Sequence, residues 1–269
     1  MLDLDRIAAL IRDTAQAEIV PRFRALAAEH IREKKPGDLV TIADEETERA
    51  LIRRLEDAVA GTVALGEESV AADPTRLELI GGEAPVWIID PVDGTGNFAK
   101  GNPGFAVIVA YVERGTTEAG WIYDPLGDRM LAGARGRGAW CGGRRVRVSE
   151  GTPPEQMTGS AYGRTPAGLR SAQALTESGR VRSVKNLGCS GLEYIDVLLG
   201  DAHFTLHSRS LPWDHAAGMM LVAEAGGVAS FLDGSPYDPR IADRRPLAAA
   251  DARAWRLVQE IVTAPPPAG

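Results

Sequence analysis

Leu4, Ile7, Ala8, Ile11, Ala15 and Ile19 recur every three to four residues with polar residues between them, the spacing of one face of a helix. The pattern predicts a first amphipathic helix that Pro21 kinks or ends, with Phe23 and Leu26 carrying the apolar stripe onward. Lys34-Lys35-Pro36-Gly37 reads as a loop, and Asp38-Leu39-Val40-Thr41 as a short extended segment. A second helical face follows in Ala43, Thr47, Ala50, Leu51, Leu55 and Val59. It places Asp44 in the first turn, where the helix dipole favours an acid.

The period then shortens. Residues 63–66 and 86–89 are continuous apolar runs, the mark of short buried strands. The first ends in Glu67-Glu68-Ser69 and the second at Asp90, because Pro91 forces its predecessor to be extended and donates nothing to a sheet. Asp93-Gly94 supplies a tight turn, and Thr95 or Asn97 opens a helix with free backbone N–H groups. Residues 105–111 and 119–123 form strands around a turn at Glu113-Arg114-Gly115-Thr116. Glycines 127, 133, 136, 138, 142 and 143 punctuate further short strands as far as Val148, which favours antiparallel hairpins over a dinucleotide-binding βαβ fold.

Residues 149–154, rich in Ser, Gly, Thr and Pro, mark a boundary between a half at 1–150 and a half at 151–263. The second half begins with a strand over 159–163 and a helix over 167–178. Gly188-Cys189-Ser190-Gly191 is a loop opening an amphipathic helix with Leu192, Ile195, Leu198 and Leu199 on its face. Residues 202–207 are strand-like, and a helix capped by Asp214 runs to Gly226-Gly227. Residues 264–269, with three consecutive prolines, read as a mobile tail.

Composition narrows the function more than the fold. A formal charge of −7 argues against a nucleic-acid surface, which needs a basic footprint. It leaves an anionic substrate open, because a bound divalent cation inverts the local field. Two cysteines, Cys141 and Cys189, are too few for a disulfide framework and point to a reduced cytoplasm. No apolar run predicts a signal peptide or a membrane helix.

The candidate chemistry is concentrated in Asp90-Pro91-Val92-Asp93-Gly94-Thr95-Gly96-Asn97-Phe98. Two carboxylates three residues apart face turn amides, and hard oxygen ligands suit Mg²⁺ while amides suit a phosphate. The string resembles the metal-binding signature of the inositol monophosphatase family of Mg²⁺-dependent phosphomonoesterases. Gly66-Glu67-Glu68 and Trp213-Asp214-His215-Ala216-Ala217-Gly218, with Glu224-Ala225-Gly226-Gly227, resemble further family motifs in the same order.

The resemblance implies a layered α/β fold of alternating helices and mixed, mostly antiparallel sheets, like fructose-1,6-bisphosphatase. It implies two or three Mg²⁺ ions held by Glu67, Asp90, the Val92 carbonyl, Asp93 and Asp214. Thr95, with Asp44 behind it, would position and deprotonate water. Glu67, Asp93, Gly94, Thr95, Gly188, Ser190 and Asp214 would contact a small phosphorylated substrate in a homodimeric enzyme. Inositol monophosphate is the default among polyol and sugar phosphates. Histidinol phosphate and 3′-phosphoadenosine-type nucleotides are alternatives, as is a non-catalytic phosphate-binding protein. Inositol-specific members carry an acid shortly before Trp-Asp, whereas residues 203–210 contain none, so His207 or Arg209 would line the pocket instead. The His203-x₃-His207 spacing also raises a zinc pair, which lacks a third ligand.

Overall fold

The computed structural model describes residues 2–161 and 165–264. The chain opens with helix α1 (Leu4–Glu18), passes two 3₁₀ turns, and forms a hairpin of β1 (Ile31–Lys35) and β2 (Asp38–Thr41) before α2 (Ile42–Ala58). Strand β3 (Val63–Gly66) feeds α3 (Glu67–Ala72), and β4 (Val86–Asp93) feeds α4 (Thr95–Ala99). Strands β5 (Ala106–Glu113), β6 (Thr116–Asp124), β7 (Arg129–Ala134), β8 (Gly138–Cys141) and β9 (Arg144–Val146) follow. Next come β10 (Thr158–Ala161), α5 (Pro166–Glu177), β11 (Ser183–Lys185), α6 (Ser190–Leu199) and β12 (Phe204–Leu206). Helix α7 (Pro212–Glu224), β13 (Val228–Phe231), β14 (Pro246–Ala249) and α8 (Ala252–Thr263) complete it.

Strands β3 to β9 lie in chain order in one seven-stranded sheet, antiparallel throughout except for the parallel pair β3–β4. The other large sheet is mixed, in the order β11-β10-β12-β14-β13. Alternation along the strands sets the layers. Trp87, Ile89, Val107, Val109, Trp121 and Tyr123 share a core with the apolar stripes of α1 and α2. Ile88, Ile108, Ala110 and Ile122 share a core with α6 and α7, joined by Ala248 from the second sheet. Leu247 and Ala249 face the other way, against α5 and α8. The result is five layers, helix–sheet–helix–sheet–helix, the alternating α/β architecture expected from sequence.

Burial makes these layers costly to disturb. Ile11 and Leu51 are wholly buried, and removing either side chain to Ala costs about 2–5 kcal/mol. In the central helix layer Gly218 lies flat on the Tyr194 ring and leaves no room for a methyl group.

Four local expectations are corrected. Lys34 and Lys35 belong to strand β1, and only Pro36-Gly37 forms the turn, with Gly37 at a φ of 79°. Strand β4 continues through Pro91 to Asp93 instead of stopping at Asp90. Pro91 is tolerated because the pairing with β5 is irregular there, so no regular ladder donor is lost. Leu211 caps α7, and Asp214 sits in its first turn. The strand expected over 159–163 is β10, shifted by one residue at its start, and its expected end at 162–163 lies outside the described residues. So does the tail from residue 265.

Candidate active site

The seven-stranded sheet brings the acids together by register. Gly66 pairs with Ile89 in the parallel β3–β4 ladder, so Glu67, just past the end of β3, stands beside Asp90 within β4. Residues 90 and 93 of a regular strand would face opposite sides of the sheet. Here Asp90 pairs with Ile108 and Asp93 with Ala106, three steps on β4 against two on β5. That one-residue bulge returns Asp93 to the side of Asp90. Asp214, from the first turn of α7, completes a trio whose ligand atoms all lie within 4.8 Å of one another.

This trio is electrostatically unfinished. Asp90 is 1% exposed, and its Oδ1 has no hydrogen-bond partner among the described residues. Burial, then the charges of Glu67, Asp93 and Asp214, push its pKa well above the usual carboxylate range. Burial and the charges of Asp93 and Glu67 do the same to Asp214. Asp93 is raised by burial to about 6, less because Gly191 N–H and Cys189 Sγ–H donate to its Oδ2 at 2.5 and 3.1 Å. Convergent carboxylates, one with an oxygen that no donor satisfies, suit a hard divalent cation such as Mg²⁺. The Val92 carbonyl lies between Asp90 and Asp93 on the bulge, in a wholly buried residue.

Beside the trio, Gly94 turns the chain at a φ of 91°. A Cβ there would stand 2.5 Å from the Gly104 carbonyl oxygen, so only glycine fits. The helix opens at Thr95, not Asn97, whose Nδ2 instead donates to the carbonyls of Gly104 and Leu187 at 2.8 and 2.9 Å. Thr95 Oγ1 lies 2.9 Å from both Asp44 Oδ1 and the Val92 carbonyl, and its one proton serves one of them at a time. Asp44 closes a capping box: its Oδ2 accepts from Thr41 N–H at 2.8 Å and from the Thr41 hydroxyl at 2.6 Å. Burial raises Asp44 to about 7, near the value useful for exchanging a proton at neutral pH.

Glu67 stands outside the tight trio. Lys34 Nζ sits 2.7 Å from its Oε1 and 2.9 Å from Glu68 Oε1. Burial raises Glu68 to about 8. Glu48 accepts the backbone N–H groups of Glu68 and Ser69, both at 2.8 Å, and so fixes the start of α3.

The second half supplies the remaining wall of a cleft of about 440 Å³. Gly188 and Ser190 line it, as predicted positions, but the adjoining Gly191 amide is spent on Asp93. His207 and Arg209 also border it, the first buried and the second exposed. His203 does not pair with His207: its Nδ1 accepts from Thr158 N–H at 3.1 Å, and no metal-ligating group among the described residues includes either.

Sequence reasoning missed Glu193. It is 1% exposed, borders the cleft, and is raised by burial to about 8. Thr205 Oγ1 lies 3.1 Å from Glu193 Oε2 and 2.9 Å from His207 Nε2. His215 donates from Nε2 to the Arg209 carbonyl at 3.0 Å and accepts at Nδ1 from the Tyr194 hydroxyl at 3.1 Å. The available signal was an acid in a helix whose neighbours Tyr194, Ile195, Val197 and Leu198 are all apolar enough to be buried.

A sequence profile of the inositol monophosphatase family matches residues 3–264. Inositol monophosphatase 1 of Sus scrofa is 33% identical over 240 residues, covering 86% of this chain and 84% of the relative. A Thermotoga maritima protein named fructose-1,6-bisphosphatase/inositol-1-monophosphatase is 33% identical over 204 residues, 75% of each chain. A solved Thermotoga maritima IMPase superposes with a TM-score of 0.81 at 27% identity, covering 96% of this chain and 97% of that one. The chain belongs to the inositol monophosphatase family and is a phosphoric monoester hydrolase.

Proposed function

We propose that this member of the inositol monophosphatase family is a Mg²⁺-dependent phosphomonoesterase acting on inositol monophosphate or a related small polyol or sugar phosphate. The observation that carries the reading is the trio of buried Asp90 and Asp93 with half-buried Asp214, with an unpartnered Asp90 oxygen, set beside the Thr95–Asp44 pair in one cleft. Glu67, Asp90, the Val92 carbonyl, Asp93 and Asp214 would hold the metal. Bound Mg²⁺ makes water ionisable near neutral pH and offsets charge on the attacking and leaving oxygens.

The chain's own groups do the rest. The Thr95 hydroxyl orients the attacking water and passes its proton to Asp44, whose raised pKa keeps it near the point of exchange. The backbone N–H groups of Gly94 and Thr95, at a sharp turn, meet the phosphate oxygens. The water oxygen bonds to phosphorus as the ester oxygen departs, giving inorganic phosphate and the free alcohol. A protein nucleophile is unnecessary for this displacement. We assign the first half, 1–150, most of the metal ligands and the second, 151–263, the closing wall with Asp214.

The absence of an acid among residues 203–210 supports a broad enzyme. A panel of inositol 1-phosphate, sugar phosphates, a 3′-phosphoadenosine nucleotide and histidinol phosphate, with Mg²⁺ or EDTA, tests the reading. Hydrolysis should require Mg²⁺, and kcat/KM for inositol 1-phosphate should fall within about tenfold of several others, roughly 1.4 kcal/mol. Undiminished turnover in EDTA, or none with Mg²⁺, overturns the metal-dependent phosphatase.

A further inference from the structure

Glu67, which stands outside the acid trio, already has a cation from its own chain. Lys34 Nζ lies 2.7 Å from Glu67 Oε1 and 2.9 Å from Glu68 Oε1. Among the described residues no other lysine or arginine comes within ion-pair reach of Glu67, Asp90, Asp93 or Asp214. The side chains of Lys34, Glu67 and Glu68 are 16%, 21% and 14% exposed, so salt screens the contact much less than one on the surface.

The β1–β2 hairpin aims this side chain by a bulge. Glu33 pairs with Leu39 and Lys35 with Asp38, two steps on β1 against one on β2. Lys34 is the extra residue, outside the ladder, and a bulge re-aims the side chain it carries. Its neighbours Glu33 and Lys35 are exposed, whereas Lys34 turns in against the start of α3. The base of the hairpin is held at Thr41, whose N–H and hydroxyl both donate to Asp44 Oδ2.

An oxygen 2.7 Å from an ammonium is not free for Mg²⁺ on ordinary terms. Two cations on one half-buried carboxylate repel, and the surroundings weaken that repulsion far less than bulk water does. Lysine is suited to giving way, because its charge is a compact point on a flexible four-carbon stem. It also has somewhere to go. Glu68 Oε1 is already in reach, and Asp38 Oδ1 lies 4.0 Å from Nζ across the hairpin turn. Leaving Glu67 therefore keeps the ammonium between two acceptor side chains.

We propose that Lys34 is an internal competitor of the metal: its ammonium holds Glu67 in metal-free protein, yields it to a divalent cation by moving onto Glu68 and Asp38, and so sets how tightly the site binds Mg²⁺. The inference rests on the assignment of Glu67 as a metal ligand in the phosphatase reading. Lys34 is a positioning residue here and takes no part in the bond changes. The coupling is reciprocal, so whatever affinity Mg²⁺ loses in displacing Lys34 is regained when the ammonium is removed.

Calorimetric titration of the full chain with Mg²⁺ alone tests this without any turnover. Lys34→Met keeps an apolar stem, removes the charge, and should bind Mg²⁺ about tenfold tighter than wild type, within the usual range of coupling between two ligands. Lys35→Met, one residue along and exposed at the rim of the cleft, removes the same charge without the contact. It should change Kd by less than about twofold, because an exposed charge is screened. In EDTA Lys34→Met should melt lower than wild type, and Mg²⁺ should raise its Tm further. Unchanged or weaker Mg²⁺ binding by Lys34→Met, an equal gain from Lys35→Met, or an equal or smaller rise in Tm overturns the competition. Lys34→Gln carries the same expectations if Lys34→Met fails to fold. Wild-type protein that binds no Mg²⁺ overturns the metal site itself instead, and the two failures are thereby distinct.

Discussion

Two buried clusters of titratable groups face the same cleft and are built on opposite principles. Asp90, Asp93 and Asp214 crowd together, push one another's pKa values up, and leave an Asp90 oxygen without a partner. Glu193, Thr205 and His207 are hydrogen-bonded in one chain and Tyr194, His215 and the Arg209 carbonyl in another, with the rings of His207 and His215 4.3 Å apart between centroids. The first arrangement costs stability until something positive is added. The second meets most of its hydrogen-bonding capacity among the described residues. Burial alone therefore does not announce function; what matters is whether the group's partners are inside the chain.

The largest test breaks the unfinished cluster. Asp93→Asn should lower activity with Mg²⁺ by more than roughly 10²-fold, because one metal carboxylate is lost where charge develops. The same variant should not be less stable than wild type in EDTA, since a repulsive charge is gone. Steady-state kinetics and chelated melting curves check the two halves of that expectation.

Next in size is the water-handling pair. Thr95→Ala should lower kcat by roughly 10 to 10²-fold while KM stays within about twofold, the signature of an interaction used mainly in the transition state. Mg²⁺ binding measured by calorimetry should survive. A rise in KM alone would reassign Thr95 to holding phosphate.

The buried acids and His207 should respond to pH in opposite senses. For Asp93 and Asp44, raised to about 6 and about 7, the folded protein keeps a proton that the unfolded chain releases near pH 4. Their contribution is full below about pH 4 and is lost as pH rises through about 6 to 7. His207, lowered to about 3, stays neutral while the unfolded chain takes a proton below about 6.5, so its contribution is lost as pH falls from there. Urea midpoints in EDTA should fall from about pH 5 to about pH 8, and Mg²⁺ should remove the share of that loss due to Asp93 while leaving the shares of Glu68 and Glu193, raised to about 8. His207→Gln should flatten the acid side only. A metal-free midpoint that climbs across the same range contradicts the assignment.

The smallest expected effect sharpens the contrast. Tyr194→Phe removes the donor to His215 Nδ1 and should cost about 1–3 kcal/mol. The cost should be the same with Mg²⁺ or EDTA, as measured by urea unfolding, because that cluster has no external partner to wait for.

The two regions were not equally legible in sequence. The strand runs at 63–66 and 86–89 and the helix face from Ala43 to Leu55 exposed the acid cluster, because periodicity reports which residues end each element. Pro91 misled about where β4 ends, since its cost as a strand residue depends on whether the ladder is regular at that point, and the bulge is a pairing property. Asp214 was misread as a cap because Leu211 and Pro212 start α7 three residues earlier than the polar pattern suggests. Glu193 was invisible because nothing local shows that both sides of α6 are covered, one by the large sheet and one by the second. Residues 228–263 had no assignment, and they supply β13, β14 and α8, whose pairing partner β12 is distant in sequence.

The central claim is that the Asp90, Asp93 and Asp214 cluster is folded to be completed by a cation. Thermal unfolding of wild type and Asp90→Asn, each in EDTA and in saturating Mg²⁺, measures that most directly. At a hundredfold excess over Kd, Mg²⁺ should stabilise wild type by about 2.7 kcal/mol, raising Tm by roughly 5–10 °C. Asp90→Asn should lose most of that rise and, in EDTA, melt no lower than wild type. A wild-type Tm indifferent to Mg²⁺, or an Asp90→Asn protein that responds as strongly, would contradict the account.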